Sequence, residues 1–380
     1  MKKKIIRVST VPTSLDSFLE GFLKRLSQDY EVVALSSPLK ELEIIEKREG
    51  VRTIAVPMER HISIFKDIVS LCRLIIVFAK ERPDMVHSMT PKAGLLSMLA
   101  AWLTRVPVRI HTFTGLVFPT TNGLKRKILM FMDGLTCACA SYINPESKGV
   151  ANDLSRYGIT KQPLHIIANG NVRGVNMSYY NRTPEVLARA KEFRDENSLT
   201  FCFVGRLVGD KGINELIKAF QKLSLEYKDK IRLLLIGPYE KDLDPLDLEC
   251  QKVIDESSNI RTFGEQRDVR PYLAASDIFV FPSYREGMPN VVLEAGAMGL
   301  PSIVTDINGS NEIIIDGENG IIVPAKNEQV LYSTIKEWIE HPEIPKKMAK
   351  KARFMIASRY EQQMIWEATL AEYHRLLENL

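Results

Sequence analysis

The sequence predicts an α/β protein built from two doubly wound parallel-sheet domains, and three observations carry that prediction. Short β-branched runs alternate with helical patterns along most of the chain. The alternation pauses once, around Asn169–Val175, and then resumes. At 380 residues the chain exceeds what one hydrophobic core usually holds, so two domains of about 150 to 200 residues are expected.

In the first series, the run Ile5–Ser9 precedes a helical pattern over Phe18–Leu26, and Val32–Leu35 precedes a charged one over Leu39–Arg48. Val51–Val56 leads into a helix over 62–80, Met85–His87 into Ala93–Leu103, and Val108–His111 into Leu124–Met132. Thr136–Ala140 and Leu164–Ile167 read as closing strands. Such alternation implies a parallel sheet covered on both faces, with its ligand crevice at the carboxyl ends of the strands.

The polar stretch around Asn169–Val175 reads as the linker, which assigns 1–172 to the first domain and 173–359 to the second. A polar helix over Ala188–Glu196 opens the second series. Its strands are predicted at Thr200–Val204, Ile231–Ile236, Ile260–Phe263, Ile278–Phe281, Ser302–Thr305 and Gly320–Val323. The tail is almost wholly helical in pattern, and its last part, about 360–380, is expected to pack back on the first domain.

Lys plus Arg number 51 against 47 for Asp plus Glu, a net charge of +4, too small an excess for a nucleic-acid binder. Local basic clusters at Lys2–Lys4, Lys125–Lys127 and Lys346–Arg353 read as solvated faces, with anionic lipid or phosphate as the alternative contact. Five cysteines without CxxC spacing fit buried free thiols in a reducing compartment. Arg7 interrupts the first apolar run, so no secretory signal is expected. The apolar segments Ile68–Ala79 and Ala93–Leu103 fall short of the roughly 20 residues that span a bilayer. A cytoplasmic protein, able to rest on a membrane surface, is the expectation.

Two stretches carry the chemistry. The strand Thr200–Val204 runs into Gly205-Arg206-Leu207-Val208-Gly209-Asp210-Lys211-Gly212, and a helix follows. Glycines admit a ligand close to the backbone, Arg206 offers a planar fork of donors and Lys211 a movable point charge. The first βα turn of a doubly wound domain is also where phosphates settle on a helix N-terminus, so this is a candidate phosphate site. Alone, its alternative reading is an ordinary Gly-rich turn with surface salt bridges.

The second stretch runs Pro282-Ser283-Tyr284-Arg285-Glu286-Gly287-Met288-Pro289-Asn290 and on to Glu294. Pro289 suits the first position of a helix that carries Glu294 one turn beyond Asn290. Glu286 and Glu294 can then both reach the crevice above the strand Ile278–Phe281. Taken alone, two acids at this spacing fit a polar turn and one exposed helical acid.

Their context resembles retaining family-4 glycosyltransferases of the GT-B type, which pair two facing Rossmann-like domains across a deep cleft. The resemblance rests on Glu286 and Glu294 in this setting, on Gly205-Arg206 with Lys211-Gly212, and on Asp306-Ile-Asn-Gly-Ser-Asn-Glu312. It covers most of the chain and is strongest over Phe201–Glu312. Thr10-Val-Pro-Thr-Ser-Leu15 and Thr90-Pro-Lys-Ala-Gly-Leu95 are similar to the branch that extends lipid-linked sugars for capsule, O-antigen or glycan assembly.

The resemblance implies a role for each residue. Arg206 and Lys211 would hold the nucleotide diphosphate and offset the charge developing on it as the glycosidic bond breaks. Glu294 would take the ribose hydroxyls and Glu286 would face the donor sugar. Gly205, the amides of Gly287, Met288 and Asn290, and Pro289 would line the donor site. The donor would be a nucleotide sugar, most simply a UDP-sugar, and the acceptor a polyprenyl-diphosphate saccharide. Neither a metal nor another cofactor is implied, since basic side chains take the metal's place. Asp242-Leu-Asp244 matches a metal-binding DxD pattern by letter but reads as a solvated charged loop.

One departure concerns the first domain, where many relatives carry Thr-x-His-Gly with the His toward the donor sugar. Here the segment is Arg109-Ile-His-Thr-Phe-Thr-Gly115, with Thr114 at the expected position and His111 three residues earlier. The sequence leaves His111 open between a substitute and a core histidine. Thr10 and Ser14 are further candidates for sugar or acceptor contact. Leu95–Leu103 with Trp102, and Phe118–Met132 with Lys125–Lys127, combine apolar and basic side chains, as a face resting on a bilayer would; core packing is the alternative. Two other functions stay open at this point: a non-catalytic nucleotide-sugar sensor and a GT-B-like sugar-nucleotide 2-epimerase.

Overall fold

A computed structural model describes residues 2–59, 61, 63–240 and 244–378. The chain divides into two units, one of Met1–Arg173 with Gln363–Leu380 and one of Gly174–Gln362. Each is a six-stranded parallel sheet flanked by helices.

The first sheet holds β1 (Lys4–Val8), β2 (Glu31–Ser36), β3 (Arg52–Ala55), β4 (Met85–Met89), β5 (Val108–Phe113) and β6 (Tyr142–Pro145), in the order β3-β2-β1-β4-β5-β6. The second holds β7 (Leu199–Val204), β8 (Ile231–Ile236), β9 (Ile260–Thr262), β10 (Ile278–Phe281), β11 (Ser302–Thr305) and β12 (Gly320–Val323), in the order β12-β11-β10-β7-β8-β9. Central strands such as β8 are near-continuous apolar runs because helices cover both faces of the sheet. Strand order reverses between β1 and β4 in the first sheet, and between β7 and β10 in the second. Loops leaving neighbouring strands diverge at such a point and open a crevice at the carboxyl ends.

Several expectations need correction. Thr136–Ala140 is not a strand: one helix runs from Gly123 to Cys139, since the apolar spacing of Leu124–Met132 continues through it. The strand of this region is the four-residue β6, whose Pro145 masks it in sequence. Leu164 makes only an isolated bridge to Ile143 of that strand. Phe18–Leu26 is two helices, Pro12–Leu19 and Phe22–Leu26, separated by Gly21 at φ 76°. Four of the five cysteines are buried, whereas Cys72 is exposed on the Ile64–Glu81 helix.

The helix Gln362–Glu378 docks on the first sheet, burying Leu370, Tyr373 and Leu377. Tyr373 sits inside a polar chain: Arg7 of β1 donates to its hydroxyl at 2.5 Å, and the same hydroxyl bonds His87 Nδ1. His87 Nε2 bonds Thr112 Oγ1 at 2.7 Å, and Asn144 Nδ2 donates to that oxygen at 3.0 Å. Arg7 is 1% exposed. Burial beside this cation pushes His87 well below its usual pKa, so the ring is neutral.

Candidate active site

The switch point of the second sheet brings together the two stretches singled out in sequence. Gly205–Gly212 follows β7 and Pro282–Pro289 follows β10, the two strands between which the order reverses. The stretches are bonded to each other. The amide of Tyr284 donates to Asp210 O at 2.9 Å, and Arg285 Nη2 pairs with Asp210 Oδ2 at 3.3 Å. Gly212 fixes their approach: at φ 69°, a Cβ there would lie 2.1 Å from Pro282 O. Only glycine fits.

Lys211 reaches across this junction and forms an ion pair with Glu286 Oε1. Ser283 Oγ donates to the same oxygen at 2.9 Å, and Thr305 Oγ1 of β11 anchors the carbonyl of Ser283. The ammonium also lies 5.8 Å from the centroid of the Phe281 ring. Lys211 and Glu286 are 14% and 16% exposed, so the pair is partly withdrawn from water and held by several groups. Arg206 pairs with Glu240, which follows β8, at 44% and 27% exposure.

Gly287, Met288 and Pro289 end the loop and are buried, and Asn290 opens an eight-residue helix to Ala297. Pro289 stands one position before the expected one, as the extended residue preceding the helix. Glu294 is on that helix and 7% exposed. Asp242 lies outside the described residues. Asp244 is not part of a solvated loop: its Oδ2 accepts the amide of Asp210 at 2.6 Å and so braces the turn that carries Lys211. Nothing in a single sequence signals this role, nor that of Glu240, since each depends on a contact 34 residues away.

In the first unit, Thr10 and Thr90 meet where β1 and β4 diverge, with their hydroxyls 2.8 Å apart. The amide of Ala93 donates to Thr10 Oγ1 at 3.2 Å, so Thr10 ties the start of the Pro91–Leu103 helix to the strand end. Ser14 is half-buried on the Pro12–Leu19 helix and Thr114 half-buried just beyond β5. His111 is a core histidine. It is 2% exposed, bonds Ser88 Oγ at 2.8 Å and lies against Gly94. Burial drives its pKa down to about 3. Among the described residues no group of three or more His, Cys, Asp or Glu side chains is set to hold a metal.

Two doubly wound sheets, with basic and acidic side chains at the switch point of the second, are the architecture of the GT-B glycosyltransferases. The chain belongs to that family: residues 22–170 match the description "Glycosyl transferase 4-like domain" and residues 187–355 match "Glycosyl transferases group 1". It is 29% identical to the capsular polysaccharide biosynthesis glycosyltransferase CapM of Staphylococcus aureus, over 99% of this chain and 98% of CapM. It is 28% identical to an Escherichia coli UDP-Gal:alpha-D-GlcNAc-diphosphoundecaprenol alpha-1,3-galactosyltransferase, over 85% and 86% of the two chains. In fold it is similar to Anabaena HepE, crystallised with UDP and glucose, with a TM-score of 0.82 across all of both chains at 16% identity.

Proposed function

We propose that this glycosyltransferase moves a sugar from a UDP-sugar to a polyprenyl-diphosphate-linked saccharide, with retention of anomeric configuration, in surface polysaccharide or glycan assembly. The observation that carries the reading is the pair of cations, Arg206 and Lys211, in the loop after β7, one of the two strands between which the second sheet reverses. Arg206 and Lys211 hold the diphosphate and stabilise it as leaving group, the work of a preorganised charge. Glu286 orients the donor sugar, Glu294 takes the ribose hydroxyls, and amides of Gly287, Met288 and Asn290 line the sugar and phosphate end. No metal enters the scheme. The acceptor attacks on the face the diphosphate leaves, and the leaving phosphate takes the acceptor's proton.

The named activity of the E. coli galactosyltransferase, on a diphosphoundecaprenol-linked sugar, supports a lipid-linked acceptor, and the name of CapM supports capsule assembly. A peripheral position on the cytoplasmic face of the membrane follows from that substrate. On the first unit, the Gly123–Cys139 helix exposes Leu124, Ile128 and Phe131 beside Lys125–Lys127, and Trp102 and Leu103 are half-exposed on the Pro91–Leu103 helix packed against it. The rest of that helix is mostly buried, so only its end is available. The Ile64–Glu81 helix adds Phe65, Ile68 and Ile76, all exposed. No described helix is long and apolar enough to cross a membrane.

Incubation with UDP- and GDP-sugars and a polyprenyl-diphosphate saccharide tests the reading. Nucleotide release should require the acceptor, and the product linkage should keep the donor's anomeric configuration. Binding without turnover would mark a sensor instead, and donor isomerisation without acceptor an epimerase.

A further inference from the structure

Each of the two cations assigned to the donor diphosphate is already paired with a carboxylate, and the two carboxylates are held very differently. Glu286 is 16% exposed and bonded by Lys211 and by Ser283 Oγ. Glu240 is 27% exposed, and among the described residues its carboxylate has Arg206 as its one partner. With both pairs intact the four charges cancel, and a dianionic or trianionic diphosphate would gain little from entering. One carboxylate has to yield, and Glu240 is the one free to do so.

The backbone makes this pairing a built feature. The loop after β7 and the loop after β8 run side by side: Gly205 N–H donates to Ile236 O at 2.9 Å and Leu207 N–H to Pro238 O at 2.8 Å. Gly237 lies so close that a Cβ there would sit 1.9 Å from Gly205 O. Glu240 is thereby delivered to Arg206, while Asp244, four residues on, braces the turn of Lys211.

We infer that Glu240 is a displaceable counter-ion, holding Arg206 in place until the donor diphosphate takes over the guanidinium. This rests on the donor reading above. It makes Glu240 a positioning residue: the pair keeps a long, half-exposed arginine aimed at the crevice, and its exchange sets donor affinity. An exposed ion pair is weak enough to be exchanged.

Titration calorimetry with UDP on the wild type, Glu240→Gln, Arg206→Ala and the double variant tests it. Glu240→Gln should tighten UDP binding by about two- to fivefold, the scale of one half-exposed pair. The gain should shrink at high salt and vanish in the Arg206→Ala background; Glu240→Ala should repeat it. Unchanged or weaker UDP binding in both Glu240 variants, with Arg206→Ala weakening it, would overturn the inference alone. Wild-type UDP affinity in Arg206→Ala would overturn the donor reading itself.

Discussion

Arg206 and Lys211 differ in what holds them, and their substitutions should differ accordingly. Arg206 is half-exposed with one carboxylate partner among the described residues, whereas Lys211 is largely enclosed between Glu286 and the Phe281 ring. Both Arg206→Ala and Lys211→Ala should cut turnover by about 10² or more, the scale of losing one preorganised charge donor; initial rates with saturating donor measure this, and near wild-type rates contradict it. Glu286→Gln keeps the shape of the side chain and its acceptor for Ser283. It should therefore lower the transfer rate far more than UDP affinity, and a loss confined to UDP binding would assign the carboxylate to the nucleotide. The residue types and spacing behind these expectations are legible in sequence. Their counter-ions are not, because Arg206 meets Glu240 only once β7 and β8 lie side by side.

At the scale of elements, the junction of the two loops depends on Gly212. A methyl group there would meet Pro282 O at 2.1 Å, at a backbone φ of 69° that L side chains rarely adopt. Gly212→Ala should separate the loops, lower the melting temperature and abolish UDP binding; retained binding would mean the loops act independently. The Gly123–Cys139 helix carries a second expectation. Burial without an ion-pair partner among the described residues raises the Asp133 pKa to about 7. A carboxyl whose folded pKa lies above its unfolded value near 4 favours folding at low pH, and that contribution is lost as pH rises from about 4 to 7. Asp133→Asn should therefore raise the melting temperature at pH 8, by about 2–4 °C for each kcal/mol recovered. The gain should fade towards pH 4, and a pH-independent shift would count against the assignment. The strand series was readable from β-branched runs at regular spacing. The short β6 was not, since a four-residue strand ending in Pro has too little pattern.

At the scale of the whole molecule, the exposed apolar side chains of the first unit, with Lys125–Lys127, predict selective binding to anionic membranes. The purified protein should float with liposomes containing anionic lipid more than with neutral ones, and Phe131→Glu with Leu124→Glu should reduce flotation. Equal flotation with both lipids would remove the surface from the scheme. The Gln362–Glu378 helix, far from the first sheet in sequence, completes that unit by burying Tyr373 between Arg7 and His87.

The sequence by itself determined the fold class, the strands of both sheets apart from β6, and the Gly205–Gly212 and Glu286–Glu294 stretches, because periodicity and motif spacing are local properties. Tertiary structure decided which strands diverge at the site, that His111 is core, that Asp244 braces the Lys211 turn and that Glu240 answers Arg206. These rest on contacts between residues tens of positions apart, and 366 apart for Arg7 and Tyr373. No single stretch of sequence encodes such a contact; it exists only when packing brings the two ends together.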